Sequence, residues 1–193
     1  AGEALEKSLV DAVTAAPGGW LLTASIKDQY VAGLERLVNH PGVEVLARSA
    51  DVPAAGFGAA PTVLKTSAEA LAEQGTPLLD ECFGPVSIVV EYRSEDELIG
   101  ALNRLPGTLT ATLHSAAQDG ATARRVSDAL VARSGRIVHN GYPTGVAVSW
   151  AIHHGGPWPA TSSSLHTSVG ASAVRRFLRP IAYQDAPEHL LPD

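Results

Sequence analysis

The chain has 193 residues, a mass of 20.0 kDa and a net charge of −6, with 45% hydrophobic and 18% charged residues. This composition excludes a disordered chain and supports a buried core without metals or disulfides. The acidic charge argues against nucleic-acid binding, and no apolar run reaches the roughly 18 residues of a membrane helix. The single cysteine, Cys82, is typical of a reducing compartment, so we expect a cytoplasmic protein that binds no membrane.

The N-terminus differs from that of a newly translated chain. The sequence contains no methionine and begins at Ala1. Because translation starts with methionine, we expect an N-terminus that was processed or cut from a longer chain. The first residues are amphipathic and acidic, unlike the basic start of a signal peptide.

The first half of the sequence predicts two helices and two short strands. Apolar residues at helical spacing predict a helix over residues 3–15, and Thr23 is a candidate cap for a second helix. Strands are predicted at residues 43–47 and 61–65. The Gly- and Pro-rich residues 51–60 between them predict a loop.

The middle of the chain alternates strands with helices. Residues 86–92 are apolar and β-branched, which predicts a strand buried on both faces, and Ser94-Glu95-Asp96-Glu97 is a capping box that opens a helix. A strand at 109–113, a helix at 119–133 and a strand at 136–139 follow. This alternation predicts an α/β fold with a mostly parallel sheet and flanking helices.

The last fifty residues differ from the rest of the chain in composition. Residues 141–168 form a long segment rich in Gly, Pro, Trp and His, and loops of this length tend to be functional. A short helix at 172–177 and a final strand at 178–184 are predicted after it. A strand that arrives so late is expected to pair at a sheet edge or with another subunit.

Two reactive residue types in the chain carry little functional signal. His153 and His154 are adjacent, and adjacent histidines rarely point at one ion, so no metal site is predicted. Cys82 is a poor candidate nucleophile, because the neighbouring carboxylate of Glu81 is expected to raise the pKa of its thiol. An enzyme that uses the Cys82 thiol remains the least favoured hypothesis.

Glu81 and Phe83 form a more informative pair, in a loop that feeds a predicted parallel strand. A carboxylate at such a position can accept two hydrogen bonds from the hydroxyls of a ribose. The nearby Phe83 offers a face for a flat ring. The alternative is that Glu81 caps a helix and Phe83 belongs to the core, and on spacing alone this alternative is favoured.

Several motifs of the chain occur together in one known family. They are Glu81-Cys82-Phe83-Gly84-Pro85-Val86, Pro143-Thr144-Gly145-Val146, His154-Gly155-Gly156-Pro157-Trp158 and Thr167-Ser168-Val169-Gly170. In this order they resemble the aldehyde dehydrogenase superfamily. The match is strongest to the branch that contains α-ketoglutaric semialdehyde dehydrogenases and NADP-dependent fatty aldehyde dehydrogenases. The resemblance covers essentially the whole chain.

The resemblance implies oxidation of an aldehyde to a carboxylic acid, with NAD or NADP as the cofactor. It implies that Glu81 binds the hydroxyls of the nicotinamide ribose and that Phe83 packs beside the nicotinamide. The residues implied to line the substrate tunnel are Tyr142, Pro143, Val146 and His154. His154 is also expected to assist the chemistry.

The resemblance further implies that the chain is incomplete as an enzyme. The family's nucleophilic Cys and its base Glu lie further upstream of Glu81 than this chain extends, so we expect the isolated chain to be inactive. Residues 1–170 would be an N-terminally truncated catalytic domain. Residues 171–193 would be a C-terminal helix and an oligomerisation strand that builds a homo-oligomer. The alternative is a non-catalytic α/β module that binds a partner subunit through its last strand.

Two positions differ from the branch that the chain resembles. Ala147 stands where a Glu is common, and Leu165-His166 stands where an Arg is common. These two changes leave open which aldehyde is the natural substrate, and whether it carries a second acidic group.

Overall fold

The computed structural model describes residues 2–145 and 148–192. The chain divides into two compact units, the first ending at Leu105 and the second beginning at Pro106. No helix among the described residues is long and apolar enough to cross a membrane.

The first unit has a mixed sheet flanked by helices. Its elements are α1 (Gly2–Ala15), β1 (Gly19–Trp20), α2 (Ala24–Val38), β2 (Glu44–Arg48), β3 (Gly58–Ala59), β4 (Thr62–Ser67), α3 (Ala68–Leu71), β5 (Val86–Glu91) and α4 (Glu95–Leu102). A 3-10 helix, Pro77–Leu79, lies between α3 and β5. The sheet has the order β2-β4-β5, with β2 antiparallel and β5 parallel to β4.

The short strands β1 and β3 form a separate antiparallel ribbon. Gly19 pairs with Ala59, and Trp20 pairs with Gly58. The prediction that residues 51–60 form only a loop is therefore wrong at its last two paired residues. The pairing joins segments forty positions apart, so no local sequence pattern reports it.

Local side-chain bonds explain where two of the helices begin. Thr23 Oγ1 accepts a hydrogen bond from the amide of Ile26 at 3.2 Å, and Ser94 Oγ accepts one from the amide of Glu97 at 3.2 Å. The Glu97 carboxylate accepts a bond from the amide of Arg93 at 2.7 Å. The guanidinium of Arg93 beside it lowers the pKa of Glu97. Both predicted N-caps are confirmed, whereas the carboxylate of the predicted capping box binds the amide of Arg93 and not the amide of Ser94.

The core of the first unit includes α2 and the central strand β4. Tyr30, Leu34 and Leu37 lie on one face of α2, and Leu64 of β4 is fully buried in the same cluster. In the described sheet β4 has a neighbour on each side, whereas β5 is an edge strand with no fully buried residue. The prediction that the strand at 86–92 is buried on both faces is therefore wrong.

The second unit contains one parallel strand pair. Its elements are β6 (Ala111–Leu113), α5 (Gly120–Val131), β7 (Ile137–His139) and three 3-10 segments, Ala117–Asp119, Ala171–Phe177 and Glu188–Leu190. β6 and β7 pair in parallel with α5 between them in sequence. The α/β fold class is confirmed, with the described strands divided among three small sheets.

The C-terminal segment differs from its prediction. Residues 178–184 are described and have no regular secondary structure, so the predicted strand is absent, and the predicted helix at 172–177 is the 3-10 segment. A strand needs a neighbouring backbone to satisfy its N–H and C=O groups. Among the described residues no other strand pairs with this segment, and Pro180 has no N–H to donate.

Candidate functional site

Glu81 and Phe83 lie in a short segment that connects the 3-10 helix Pro77–Leu79 to β5. The segment is tied to the sheet at its end, because Pro85 O accepts a hydrogen bond from the amide of Thr62 at 2.9 Å. Its start is fixed by the 3-10 helix, whose last turn is closed by the amide of Asp80 and the carbonyl of Pro77 at 3.1 Å. The segment therefore has an anchor on each side.

Two alternate residues of this segment, Cys82 and Gly84, contact helix α2. Cys82 Sγ lies 3.8 Å from the carbonyl oxygen of Tyr30, and a Cβ at Gly33 would come within 2.9 Å of this sulfur. A Cβ at Gly84 would overlap the ring of Tyr30. Glycine is thus required at position 84 by a close approach, and the helix determines the course of the segment.

The other two alternate residues of the segment are exposed. Glu81 makes no hydrogen bond or ion pair within the described part of the chain, and Phe83 is 60% exposed. The alternative of a capping acid and a core Phe is wrong, because Glu81 caps no described helix and Phe83 lies outside the core. The pair offers an unengaged carboxylate and an open aromatic face, which fits the hydroxyls of a ribose and a flat ring.

Cys82 is poorly suited to act as a nucleophile. Burial raises the pKa of its thiol, an effect that the charge of Arg36 only partly opposes. A thiol with a raised pKa has little thiolate at neutral pH. Its packing against Gly33 indicates a structural role for the residue between Glu81 and Phe83.

In the second unit, the carboxyl end of β7 leads into a loop that we call the exit loop (residues 140–145). Asn140 adopts a positive φ of 48°, and its side chain bonds to the amide of Ser115 at 2.8 Å and to the Ser115 carbonyl at 3.0 Å. Tyr142 is 84% exposed and meets the ring of His114 edge-on, with 6.3 Å between ring centroids. Ligands of open α/β sheets bind at the carboxyl ends of parallel strands, which is where this loop lies.

A residue that sequence reasoning missed, Arg136, binds the same loop. Its guanidinium donates to the carbonyls of Pro143 and Gly145, each at 2.9 Å, and to Thr110 Oγ1 at 3.3 Å. An arginine beside a strand gives no local signal that it holds a loop seven to nine residues further along the chain. Val146, also predicted to line the tunnel, lies outside the described residues.

His154 is held by the Thr-Ser-Val motif that follows it. Its amide donates to Thr167 Oγ1 at 2.8 Å, and its carbonyl accepts from the amide of Ser168 at 3.1 Å. Its ring atom Nδ1 is buried and has no hydrogen-bond partner within the described residues. The next residue, Gly155, approaches the backbone so closely that a Cβ at Gly135 would overlap the Gly155 carbonyl. The glycines therefore allow tight packing beside His154.

The five described site residues belong to two groups. Glu81 and Phe83 lie together in the first unit, whereas Tyr142, Pro143 and His154 belong to the second. Across residues 2–145 and 148–192 no group of three or more His, Cys, Asp or Glu side chains could hold a metal ion.

Sequence comparison decides the family. The aldehyde dehydrogenase family profile matches residues 21–180, which include every site residue named above. The chain belongs to the aldehyde dehydrogenase family. It is 43% identical over 193 residues to alpha-ketoglutaric semialdehyde dehydrogenase 2 of Azospirillum brasilense, a match that covers 97% of this chain and 35% of that protein. The chain thus spans about a third of the length of the curated relatives it matches.

Solved structures show the same fold. Delta-pyrroline-5-carboxylate dehydrogenase from Mycobacterium tuberculosis, solved with NAD bound, matches with a TM-score of 0.66 and 18% identity over 98% of this chain and 36% of its own. Succinic semialdehyde dehydrogenase from Streptococcus pyogenes, in complex with NADP+, matches with a TM-score of 0.63 and 20% identity over 81% of this chain and 34% of its own. The first of these two proteins thus binds NAD, and the second binds NADP+.

Proposed function

We propose that this chain is the C-terminal part of an NAD(P)-dependent aldehyde dehydrogenase that oxidises an aldehyde to a carboxylic acid. The observation that carries the proposal is the alternation at 81–84. Cys82 and Gly84 pack on α2, while Glu81 and Phe83 are free for a ligand. This arrangement lies within residues 21–180, which match the profile of the family to which the chain belongs.

The cofactor contacts follow from the chemistry of the exposed pair. The Glu81 carboxylate would accept hydrogen bonds from the two hydroxyls of the nicotinamide ribose, and such charge-assisted bonds are strong. The ring of Phe83 would cover one face of the nicotinamide. The bound cofactor supplies the hydride acceptor, and these two residues would orient it. The choice between NAD and NADP involves contacts that this pair does not make.

The substrate side would be formed by the exit loop and by His154. Tyr142, Pro143 and Val146 would line the tunnel, and His154 would assist the chemistry through a ring whose Nδ1 has no partner among the described residues. The names of the relatives suggest an acid semialdehyde, such as α-ketoglutaric semialdehyde, as the substrate. Residues 1–170 would then belong to the catalytic domain.

The nucleophile and the base of the reaction would be supplied by residues outside this chain. The raised pKa of the Cys82 thiol and its packing against α2 support this assignment, because Cys82 is the only cysteine of the sequence. We expect the 193-residue chain alone to produce no NAD(P)H from any aldehyde. Production that is abolished by Cys82→Ser would overturn this part of the proposal.

The C-terminal residues 171–193 would form an interface with a second copy of the protein. Their large apolar side chains are exposed, among them Phe177, Leu178 and Ile181. A segment without a strand partner in its own chain can complete a sheet in another. We place the enzyme in the cytoplasm, which the single cysteine supports.

The decisive experiment measures cofactor use in the full-length protein that contains this chain. Glu81→Gln keeps the size of the side chain and removes its charge. We expect the KM for the cofactor to rise about tenfold, since one charged hydrogen bond is worth about 1.5–3 kcal/mol, with the KM for the aldehyde little changed. Glu73→Gln is the matched control, because Glu73 is an exposed acid of the same unit without a described side-chain partner.

The outcomes separate the two hypotheses about the chain. An unchanged cofactor KM in Glu81→Gln would contradict the role of Glu81. The absence of NAD(P)H production from a panel of aldehydes by the full-length wild type would contradict the activity. That result, together with a stable complex formed through residues 171–193, would favour the partner-binding module.

A further inference from the structure

The side chain of Arg136 links Thr110, which lies just before β6, to the exit loop. One terminal nitrogen, Nη1, donates to the carbonyl of Gly145 at 2.9 Å. The other, Nη2, donates to the carbonyl of Pro143 at 2.9 Å and to Thr110 Oγ1 at 3.3 Å. Two loop carbonyls, two residues apart, are thus held by one planar group.

The backbone that carries this guanidinium is itself fixed. The carbonyl of Arg136 accepts a hydrogen bond from the amide of Ala111 at 2.9 Å, directly beside the register pair of Ala111 and Ile137. Thr110, which precedes Ala111, gives the side chain its third contact. The hydrogen bonds of Arg136 therefore connect the exit loop directly to the strand pair β6 and β7.

The guanidinium of Arg136 bonds to the exit loop and to no described acidic group. In the described ranges 2–145 and 148–192 no carboxylate forms an ion pair with Arg136, and its Nε is buried without a hydrogen-bond partner. A charge placed for an ion pair would have an acidic neighbour. Within the described part of the chain, the hydrogen bonds of this side chain run to the exit loop or to Thr110.

We propose that Arg136 is a positioning residue that fixes the exit loop and thereby places Tyr142 and Pro143 against the aldehyde. The inference rests on the proposed function for its catalytic consequence, but not for the loop contact itself. Arginine is suited to this role because its planar fork binds two acceptors in a fixed geometry, whereas lysine is a point charge on a flexible stem. The geometry of the fork, and not its charge alone, is what the loop requires.

A substitution at Gly145 is a second, independent way to change the conformation of the exit loop. The φ of Gly145, +72°, lies in the left-handed region, and no atom of the described residues lies within 4 Å of a Cβ built there. Gly145→Ala therefore strains the backbone without a steric clash. If the loop conformation positions the substrate, this variant reproduces the kinetic defect of an Arg136 variant while leaving the guanidinium intact.

The first experiment measures loop order in the 193-residue chain by ¹⁵N relaxation. In wild type we expect backbone order parameters near 0.85 at Gly141, Tyr142 and Gly145. In Arg136→Met they should fall below about 0.6 at these positions, and Arg136→Lys should restore them only partly. Arg133→Met is the matched control, because Arg133 is a half-buried arginine of the same unit with no described contact to the loop. Unchanged order in Arg136→Met would overturn the proposal.

The second experiment measures kinetics in the full-length protein. A fixed loop acts on aldehyde capture, so Arg136→Met should raise the aldehyde KM about tenfold or more, with the cofactor KM within about twofold of wild type. Gly145→Ala should show the same split, and Arg133→Met should resemble wild type. A variant that changes both KM values together, or full rescue by Arg136→Lys, would indicate a purely structural or a purely electrostatic role and would overturn the proposal.

The two experiments fail in distinguishable ways. Loss of loop order in Arg136→Met together with no aldehyde oxidation by wild type would retain the contact and reject the proposed function. Normal loop order in Arg136→Met, together with aldehyde oxidation by the full-length wild type, would reject the positioning role and retain the proposed function.

Discussion

The ring of Tyr30 on α2 occupies the space that a side chain at position 84 would need. Tyr30 is 2% exposed, and its hydroxyl donates to the carbonyl of Ala60 at 3.1 Å, which holds the ring in place. Only a hydrogen fits at Gly84, so the chain passes close to the helix just before β5. The exposure of Glu81 and Phe83 therefore depends on the packing of their neighbour Gly84 against helix α2.

Gly84→Ala should destabilise the chain by forcing a methyl group into the Tyr30 ring. Overpacking of a buried site costs about 1–3 kcal/mol. Urea denaturation gives the change in the free energy of unfolding. Gly100→Ala is the control, because Gly100 lies in α4 and no described atom lies within 4 Å of an added Cβ. This variant should gain about 0.5–1 kcal/mol of stability. Equal effects at the two positions would contradict the close approach.

Tyr30 should make stability fall at alkaline pH. Burial raises the pKa of its phenol above the ordinary value of 10.0. Below about pH 10 the phenol is neutral in both states and its packing contributes fully. As pH rises further the unfolded chain releases the proton first, so the free energy of unfolding falls until the folded phenol also ionises.

The measurement is the free energy of unfolding between about pH 9 and pH 12, a range that spans the ordinary pKa of a phenol. Tyr30→Phe should reduce the alkaline loss relative to wild type. Tyr183→Phe, which removes a phenol at the surface, is the matched control variant. The same slope in wild type and Tyr30→Phe would show that Tyr30 does not contribute.

Lys65 should tie the N-terminal helix to the sheet. Its Nζ lies 2.8 Å from Glu6 Oε2 on α1 and 2.8 Å from Glu91 Oε1 on β5, and the hydrogen bond that it donates to Glu6 is the largest cause of its raised pKa. No residue of α1 is fully buried, so this contact matters for its docking. We expect faster amide exchange throughout α1 in Lys65→Met. Lys7→Met removes only an exposed pair within α1, with Asp11, and should leave the docking intact.

Thr167 should position the backbone at His154. Its hydroxyl accepts from the His154 amide at 2.8 Å and donates to the carbonyl of Val169 at 2.8 Å, and the residue is buried. Thr167→Val keeps the shape and leaves both groups unpaired, which costs about 1–3 kcal/mol for each buried group. Thermal unfolding and aldehyde kinetics should both be affected. Thr167→Ser keeps the hydroxyl and should stay close to wild type; a large loss in both variants would point to the methyl group instead.

The features that the sequence predicts well are local ones. Thr23 and Ser94 cap helices through residues three positions away, so their patterns are visible in a short window. Parallel pairing of β6 and β7 follows from the intervening helix α5. The sequence from Glu81 to Gly84 also alternates large residues with small ones. This pattern could have predicted that Cys82 and Gly84 pack inward while the residues that alternate with them face outward.

The features that the sequence predicts poorly depend on distant partners. The ribbon of β1 and β3 joins segments forty positions apart, and Arg136 acts on a loop that folds back to it. The predicted strand at 178–184 has suitable residues, but a strand forms only where another backbone offers its hydrogen bonds. A pattern within one segment contains no information about whether that second backbone is present.

Gly33 and Cys82 divide a single small space between helix α2 and the motif segment, since a Cβ at position 33 would lie 2.9 Å from the sulfur. The volumes permitted at these two positions are therefore coupled. Across related sequences a larger residue at position 33 should accompany a smaller one at position 82. Substitutions that fail singly in engineered variants, such as Gly33→Ala, should be tolerated when Cys82 is replaced by glycine or alanine.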